Sequence, residues 1–343
     1  MIIDYQNNWR NQFNMWLKKL IGFQESKEAI QKNITLKEGK LKSLINGKEY
    51  HYGRLETSSL KELRERVERS NNKKGKLTLR AIQSDVKNLH LDPQNKNALF
   101  QVASQFNLLE MVGENITPDD GIEGYEHDHT QGPICAIACG AGTIYRNYFL
   151  KLNGKVGQSA SNQIDCLEEL GKALGNINNN LWEMRNGYAL LKENGLYAIN
   201  HKLDSMSEDE VDELRKKLKI GLMWDTQVTQ NNAIHQVSQA YCSALPISYV
   251  GYELELWKPF ASLVLEASYE ATICAGILNG DDRVYLTLVG GGVFANDLAW
   301  ICSAIQRAVL KYADYELEVM IVNYGSISEE VLKLVKKIEE LKC

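Results

Sequence analysis

Three consecutive glycines form the most specific chemical feature of this sequence. Gly290, Gly291 and Gly292 lie between an apolar run that is typical of a strand and an amphipathic segment that is typical of a helix. Because glycine has no side chain, its backbone N–H groups can approach an anion closely, and the start of the following helix adds a partial positive charge. The pattern predicts a phosphate-binding loop with a diphosphate as its ligand. The alternative is a tight turn that binds nothing.

A second stretch of small residues is a weaker candidate for phosphate binding. It comprises Gly140, Ala141, Gly142 and Thr143, and it follows the apolar run 134–138, which we interpret as a strand. Two such loops at the ends of neighbouring strands could hold a pyrophosphate from opposite sides. Neither stretch matches a Walker loop, and Tyr145 occupies the third glycine position of the dinucleotide-binding fingerprint. Rossmann chemistry is therefore disfavoured.

An acidic loop before the second stretch contains the residues best suited to acid–base chemistry. Residues 117–133 include five carboxylates and two histidines between glycines and prolines. Carboxylates in such a loop can orient water or stabilise positive charge that develops on a sugar carbon. We expect the catalytic groups to be Asp120 and Asp128, with Asp119 and Glu123 as the alternatives. A solvated loop without a catalytic role is the competing interpretation.

The two histidines of this loop raise the separate question of a metal site. His127 and His129 could converge on one face of a strand, but Asp128 between them would point to the other face. Cys135 and Cys139 are not followed by a second pair with zinc-ligand spacing. We therefore expect no metal and no other cofactor, and a metal-dependent hydrolase is the least favoured function.

Composition and charge argue against several broad classes of protein. The 343 residues include 39 basic and 44 acidic side chains, so the formal net charge is −5, and 44% of the chain is hydrophobic. A net negative charge provides no overall attraction to nucleic acid or to an anionic membrane surface. Since domains contain roughly 100–200 residues, the length allows one large domain or one domain with an appendage.

The sequence gives no indication of insertion into a membrane or export across one. No uninterrupted apolar run reaches the ~18–20 residues of a transmembrane helix. The first residues, Met1 to Asn8, lack the basic and apolar regions of a signal peptide. Seven cysteines without a Cys-x-x-Cys pair are typical of reduced core residues. We expect an intracellular protein.

The first 75 residues differ in composition from the rest and are interpreted as an accessory region. A hairpin is predicted at Asn46-Gly47, a helix at 59–70 and a linker at 71–75. A further helix is predicted from the spacing of Trp9, Phe13, Trp16 and Leu20. We therefore expect a mostly helical N-terminal extension over residues 1–75 and a second domain over residues 76–343.

The second domain alternates short apolar runs with amphipathic segments. Ser207 and Ser326 each precede a glutamate by three residues, which is typical of the first turn of a helix. Alternation of this kind predicts a layered α/β domain with a mainly parallel or mixed sheet. Strands are expected among the runs 98–103, 134–138, 220–224, 247–250, 284–289 and 317–322, and helices at 298–312 and 331–341.

Three of these segments together resemble a macrodomain. They are Phe100–Glu110, Thr130–Pro133 leading into Gly140–Thr143, and Gly290–Phe294 before a helix. More narrowly, they are similar to the poly(ADP-ribose)-glycohydrolase-like branch, which includes the MavL-type hydrolases that remove ADP-ribose from arginine of ubiquitin. The resemblance covers roughly residues 76–325.

The resemblance implies a three-layer α/β/α fold with a mixed sheet and with ADP-ribose bound along the carboxyl ends of the strands. The residues expected to contact ADP-ribose are Ser104, Phe106, Asn107, Thr130, Gln131, Gly140, Ala141, Gly142, Thr143, Gly290, Gly291, Gly292, Val293, Phe294 and Asn296. One segment departs from the family pattern, because the poly(ADP-ribose) glycohydrolases carry Gln-Glu-Glu after a Gly-Gly-Gly loop and this chain continues with Val293–Asn296. The loop from Asp119 to Asp128 is therefore the expected source of catalytic acids.

The resemblance also implies an activity, the hydrolysis of the bond between ribose C1″ of ADP-ribose and a protein side chain. Arginine is the expected side chain, and ubiquitin is a candidate for the modified protein. The alternative is a binding module that recognises ADP-ribosylated proteins without hydrolysing them. In either case the expected partners are ADP-ribose and an ADP-ribosylated protein, with no nucleic acid and no membrane.

Overall fold

The computed structural model describes residues 16–70 and 74–341. The strands are, in chain order, β1 (Ile34–Lys37), β2 (Lys40–Ser43), β3 (Glu49–His51), β4 (Arg54–Ser59), β5 (Thr78–Gln83), β6 (Leu99–Ala103), β7 (Lys151–Leu152), β8 (Lys155–Val156), β9 (Trp182–Arg185), β10 (Tyr188–Leu191), β11 (Lys219–Gln227), β12 (Gln236–Cys242), β13 (Arg283–Leu286) and β14 (Glu318–Asn323). The α-helices are α1 (Trp16–Ile21), α2 (Lys27–Asn33), α3 (Leu60–Arg69), α4 (Val86–Leu91), α5 (Gln131–Ala138), α6 (Gly140–Ile144), α7 (Glu168–Leu174), α8 (Glu193–Asp204), α9 (Glu208–Arg215), α10 (Leu254–Leu278), α11 (Leu298–Lys311) and α12 (Glu329–Leu341).

The centre of the fold is a seven-stranded mixed sheet with the order β4-β11-β12-β6-β13-β14-β5. The strands from β12 to β5 run parallel to one another, whereas β11 is antiparallel to both β4 and β12. The carboxyl ends of β5, β6, β12, β13 and β14 therefore lie at one edge of the sheet, where open α/β sheets bind their ligands. The predicted α/β class with a mixed sheet is confirmed.

Helices cover both faces of the sheet, as the side chains of β6 show. Successive side chains of a strand point to opposite faces. Phe100 stacks on His90 of α4 with ring centroids 3.9 Å apart, whereas Gln101 donates a hydrogen bond of 3.0 Å to Thr272 of α10. The fold therefore has three layers, α/β/α, as the resemblance implied.

The long helix α10 forms the centre of one outer layer. Among the described residues, it is the one helix that is long and apolar enough to cross a membrane, but 83% of its most apolar window is buried. Its buried side chains include Trp257, Phe260 and Tyr269, and it packs against α3, α8 and α11. Burial on this scale is typical of the core helix of a folded domain.

Residues 16–52, which we call the N-terminal unit, pack beside the central sheet. The unit contains α1, α2 and a three-stranded sheet, in which the predicted hairpin at Asn46-Gly47 joins β2 to β3 and is confirmed. The predicted helix positions Trp9 and Phe13 lie outside the described residues. Apolar side chains of the unit share a buried cluster with residues 109–148, and its members include Leu17, Leu20, Ile30, Leu109, Ile122 and Tyr148.

The architecture changes near residue 53 rather than at the boundary expected between residues 75 and 76. Strand β4 is an edge strand of the central sheet, and α3, which follows the N-cap Ser59, packs against α10. Of the predicted linker, residues 71–73 lie outside the described residues, and the amide of Gly75 donates a hydrogen bond of 2.8 Å to Asp314 O. Residues 54–70 therefore belong structurally with the second domain.

Two apolar runs that we expected among the strands have other structures. Residues 134–138 belong to α5, and Ile247–Tyr249 is a short 3₁₀ turn. A short apolar run does not distinguish a buried strand from a buried helix, and α5 is buried both against β6 and in the cluster shared with the N-terminal unit. The predicted cap at Ser207 is confirmed, whereas α12 is capped by Ser328 instead of Ser326.

A fully buried carboxylate, Glu270 of α10, joins three helices by ion pairs. Its oxygens accept hydrogen bonds from Arg64 of α3 over 2.6 Å and from Arg307 of α11 over 2.5 Å, and Lys311 lies 2.8 Å away. Burial alone would raise the pKa of Glu270, but the three cations outweigh burial and lower that pKa to about 2. The charged form of Glu270 therefore stabilises this outer layer.

We expect Glu270→Gln to lower the free energy of unfolding by about 3 kcal/mol, because it removes the buried negative charge that Arg64, Arg307 and Lys311 share, although Asp212 still pairs with the two arginines. Since folding lowers the pKa of Glu270, its contribution is present above the ordinary value of 4.5 and is lost as the pH falls toward 2. Urea unfolding at several pH values measures both effects, with Glu255→Gln at an exposed position of α10 as the control. Equal stability of E270Q and the wild type at neutral pH would contradict the prediction.

Candidate functional site

A cleft of about 930 Å³ lies at the carboxyl edge of the parallel strands. Its walls come from the segments that follow β5, β6, β13 and β14 and from the start of α5. Small-molecule sites have volumes of roughly 300–1,000 Å³, so the cleft is large enough for a nucleotide-sized ligand. Of the residues predicted to contact ADP-ribose, it is lined by Ser104, Thr130, Gln131, Gly290, Gly291, Gly292, Val293 and Phe294.

The loop that contains the three glycines presents unused amide groups. Gly290 has a φ of +81°, and a Cβ atom there would lie 2.4 Å from Cβ of Ala244, so the position requires glycine. A Cβ atom at Gly292 would meet nothing within 4 Å. Within the described residues, the amides of Gly292, Val293 and Phe294 have no hydrogen-bond acceptor. These N–H groups are therefore available to an anionic ligand.

Neighbouring side chains hold this loop in place. Asn296 is buried and its Nδ2 donates to Leu245 O over 2.8 Å, so it supports the loop from behind and does not line the cleft. The hydroxyl of Ser248 donates to Val293 O. Asp297 caps α11 by accepting a hydrogen bond of 2.7 Å from the amide of Ala299. The helix end expected to attract phosphate thus already carries a carboxylate, which leaves the loop amides as the anion-binding groups.

Glu110 is a cleft residue to which the sequence analysis assigned no role. Its side chain is only 1% exposed, and its Oε1 accepts a hydrogen bond of 3.1 Å from Nη1 of Arg146. Burial raises the pKa of Glu110 and Arg146 lowers it, with a net increase to about 7. A carboxyl group with this pKa can exchange protons near neutral pH, as a general acid or base must.

Of the four predicted catalytic residues, Asp128 alone lines the cleft. It is half-buried, and its Oδ1 accepts a hydrogen bond of 2.8 Å from the amide of Thr130, the N-cap of α5. In the first turn of α5, a Cβ atom at Gly132 would lie 3.1 Å from Cγ of Glu110. The start of α5 therefore lies beside both carboxyl groups.

The other three predicted catalytic residues do not line the cleft. Asp119 forms an ion pair of 2.8 Å with Lys27 of the N-terminal unit. Asp120 accepts two hydrogen bonds of 2.8 Å from Thr117 in its own turn. Glu123 is half-buried, and burial is the main reason that its pKa is raised. The structure does not bring these three carboxylates together with Asp128.

The expectation of a second phosphate-binding loop is wrong. Residues 140–144 form helix α6 and are fully buried. The preceding run, 134–138, is also helical, so no strand ends here to present these residues to the cleft. A Cβ atom at Gly140 would lie 2.7 Å from Cδ2 of Leu20, and one at Gly142 would lie 2.8 Å from Oγ1 of Thr226. These glycines serve close packing. The residues misplaced by the prediction are Gly140, Ala141, Gly142 and Thr143.

Two more residues expected at the ligand lie behind the wall of the cleft. Phe106 is 2% exposed and belongs to the main hydrophobic core. Asn107 is fully buried, and its Nδ2 donates to Gln163 over 2.8 Å while its Oδ1 accepts from the amide of Leu109 over 3.0 Å. Both side chains therefore stabilise the turn that follows β6.

Gln131 lines the cleft, but its amide group is used by the sheet. Its Oε1 accepts from the amide of Ala103 over 2.7 Å and its Nε2 donates to Gln101 O over 3.1 Å. These bonds satisfy backbone groups of β6 at the carboxyl end of the strand. Gln131 therefore shapes the cleft. The adjacent Thr130 is the N-cap residue of α5, but its hydroxyl makes no hydrogen bond to the first turn of that helix.

Aromatic side chains line the cleft in two places. Phe294 lies beside Tyr188 and Tyr249, with ring centroids 5.5 and 5.8 Å away. Tyr324, which is 88% exposed, follows β14, and Asp85 follows β5. Because β14 and β5 are neighbours at the end of the sheet, Tyr324 and Asp85 occupy the same end of the cleft.

The sequence contained a usable signal for Glu110 but not for its partner. Glu110 is a lone charge within the apolar segment Leu108–Val112, and buried charges in such segments need a partner. Arg146 lies 36 residues further along the chain, so only the fold reveals the pair. Tyr324 carries no motif of its own.

No metal centre is formed by the described residues. Within residues 16–70 and 74–341, no three His, Cys, Asp or Glu side chains converge on a position that could hold an ion. The cysteines from Cys135 to Cys302 are buried free thiols, whereas Cys343 lies outside the described residues.

Comparison with known proteins gives weak similarities only. No protein-family model matches the sequence, and no curated protein matches it. Poly(ADP-ribose) glycohydrolase from Thermomonospora curvata bound to the inhibitor ADP-HPD is 10% identical, with a TM-score of 0.47 over 96% of this chain and 100% of that chain. The enzyme from Deinococcus radiodurans in complex with ADP-ribose is 12% identical, with a TM-score of 0.44 over 84% and 95% of the two chains. Similarity at this level assigns neither a family nor an activity.

We expect Glu110 to titrate near pH 7, because burial opposes its charge more strongly than Arg146 supports it. Infrared spectroscopy should show a protonated carboxyl band that disappears as the pH rises through about 7. The band should be absent from Glu110→Gln and retained in Asp128→Asn. A spectrum of E110Q that titrates like the wild type over this range would contradict the prediction.

Proposed function

We propose that this protein hydrolyses the bond that joins ADP-ribose to a protein side chain, and that arginine is this side chain. One observation carries the proposal, namely the order of chemical groups along the cleft. The carboxyl groups of Glu110 and Asp128 lie near β6 and the start of α5. The free amides of residues 292–294 follow β13, the ring of Tyr324 follows β14, and the carboxylate of Asp85 follows β5. A ligand with a reactive ribose, a diphosphate and a base matches this order.

The spacing of the strands supports a ligand in extended form. The strands β6, β13, β14 and β5 are successive neighbours in the sheet. Adjacent strands lie ~4.8 Å apart, so β6 and β5 are about 14 Å apart. The diphosphate would accept hydrogen bonds from the amides of Gly292 to Phe294, midway along the cleft. The base would stack on Tyr324, and the carboxylate of Asp85 would accept a hydrogen bond from its amino group.

The two carboxyl groups would then act on the ribose at the other end. Asp128 would hold the cationic guanidinium, and Glu110 would orient the attacking water. When the bond between C1″ and nitrogen breaks, its electron pair leaves with the neutral guanidine while positive charge develops on the ribose. Water adds to C1″ and gives its proton to Glu110, which passes it to the guanidine. A base with a pKa near 7 is suited to this step at neutral pH.

Arginine is favoured as the modified residue because the reactive end of the cleft is acidic. The charge of Asp128 attracts a guanidinium, whereas it would oppose the negative charge that develops on a glutamate carboxylate as its ester bond to the ribose breaks. Ubiquitin carrying ADP-ribose on arginine is the first protein substrate to test, on the basis of the family resemblance alone.

We expect ADP-ribose to bind at least about ten-fold more tightly than AMP, because each lost charge-assisted hydrogen bond costs ~1.5–3 kcal/mol. Gly292→Asp should abolish binding of ADP-ribose, since it places a negative charge where the diphosphate would lie. Calorimetry measures both effects. Gly292→Ala is the matched control, because it adds a Cβ atom in open space without charge and should retain binding. Equal affinities for ADP-ribose and AMP, or unchanged binding by G292D, would count against the phosphate loop.

We expect Asp128→Asn to lower the turnover of arginine-linked ADP-ribose by about 100-fold, or about 2.7 kcal/mol in the barrier, because the carboxylate of Asp128 would also stabilise the positive charge that develops on the ribose only as the bond breaks. The affinity for free ADP-ribose should change by less than about 1 kcal/mol. Single-turnover kinetics and calorimetry separate the two quantities. Asp120→Asn is the control, since Asp120 lies outside the cleft. Equal turnover in D128N and the wild type would remove Asp128 from the mechanism, and a wild type that binds without turnover would indicate a reader of ADP-ribosylation.

A further inference from the structure

Glu25 of the N-terminal unit holds the loop that leads to Asp128. Its Oε1 accepts a hydrogen bond of 2.9 Å from the amide of Ile122, and its Oε2 accepts one of 2.8 Å from the amide of Glu123. The hydroxyl of Tyr148 also donates to Oε1. A single carboxylate thus fixes two successive peptide units that lie almost 100 residues further along the chain.

The loop is shaped to receive this carboxylate. Gly121, which immediately precedes the two amides, has a φ of +88°, and a Cβ atom there would lie 2.5 Å from Oε2 of Glu25. Any other residue at position 121 would be strained and would also push Glu25 away. The contact therefore depends on residues from both parts of the chain.

Further contacts between the same two segments make the attachment firm. Nε1 of Trp16 donates to Glu123 O over 3.1 Å, and Lys27 forms the ion pair with Asp119. Apolar side chains of α1 and α2 share a buried cluster with Ile122. The acidic loop is thus held between the N-terminal unit and α5.

The loop also connects to both carboxyl groups of the cleft. Tyr125 is buried in the loop, and its hydroxyl accepts a hydrogen bond of 3.0 Å from the amide of Glu110. The amide of Asp128 donates to Tyr125 O over 3.2 Å. A displacement of the loop at Glu123 would therefore reach Glu110 and Asp128 through Tyr125.

We infer that Glu25 is a positioning residue, which acts through residues 121–125 to place Glu110 and Asp128 for hydrolysis. This inference rests on the proposed function. It gives the N-terminal unit a role in turnover, although none of its residues lines the cleft. The diphosphate and base positions belong to other loops, so Glu25 should affect turnover and not the binding of ADP-ribose.

The test compares Glu25→Gln, Gly121→Ala and the control Glu28→Gln, which changes an exposed glutamate of α2. The amide group of glutamine at position 25 would place an N–H donor against a backbone N–H, and G121A would displace the Glu25 carboxylate without changing the sequence of the N-terminal unit. We expect kcat for arginine-linked ADP-ribose to fall by about ten-fold or more in E25Q and G121A, because small displacements of catalytic groups have large effects. The Kd for ADP-ribose should stay within about two-fold of the wild type, and E28Q should match the wild type.

Hydrogen exchange provides a readout that does not depend on activity. The amide of Glu110 should exchange faster in E25Q and in G121A than in the wild type, at a temperature where melting curves show all variants folded. A parallel loss of kcat, ADP-ribose affinity and melting temperature would overturn the positioning role, since it would indicate general destabilisation. If the wild type is active and E25Q has an unchanged kcat, the positioning role of Glu25 is overturned but the proposed function is not. A wild type without turnover would overturn the proposed function and this inference with it.

Discussion

The structure around the cleft depends on the burial of one guanidinium group, that of Arg146. It is fully buried, it lies 3.9 Å from the centre of the Tyr241 ring, and it donates hydrogen bonds to Leu108 O, Glu110 and Thr143. A buried cation without its carboxylate costs about 3–5 kcal/mol, so Glu110 must face Arg146 and the segment after β6 must turn back toward it. Leu108 adopts a φ of +64° in that turn. The pair therefore fixes the path of the chain at the reactive end of the cleft.

This constraint explains why the reactive end is built from three distant parts of the chain. Thr143 of α6 accepts a hydrogen bond from Arg146, and the glycines of α6 allow the N-terminal unit to approach closely. The N-terminal unit in turn holds the acidic loop through Glu25. At the other end, the glycine loop needs no such support from α5, because Asn296 and Ser248 hold it locally. The glycine loop and the two carboxyl groups of the cleft thus depend on separate structural supports.

The sequence was most informative where function rests on local backbone chemistry. Gly290 to Gly292 could be predicted as a loop because consecutive glycines are typical of loops, and Gly290 has a positive φ that glycine alone tolerates well, while the α/β class followed from the alternation of periodicities. The stretch at 140–143 was misread because an apolar run at 134–138 fits a buried helix as well as a strand. Asp119 and Asp120 are of the same residue type as Asp128, but Asp120 binds Thr117 in its own turn, and the partner of Asp119, Lys27, is brought close only by the tertiary structure. The pairing of Glu110 with Arg146 is likewise invisible in a single sequence.

The proposed activity of the cleft is hydrolysis of the bond between ADP-ribose and arginine. The most direct measurement is mass spectrometry of the wild-type protein incubated with proteins that carry ADP-ribose on arginine, glutamate or serine, and with poly(ADP-ribose). We expect free ADP-ribose to be released from the arginine-linked protein much faster than from the others, leaving an unmodified arginine. Release of ADP-ribose from the polymer or from glutamate, with ADP-ribose retained on arginine, would contradict the proposed activity.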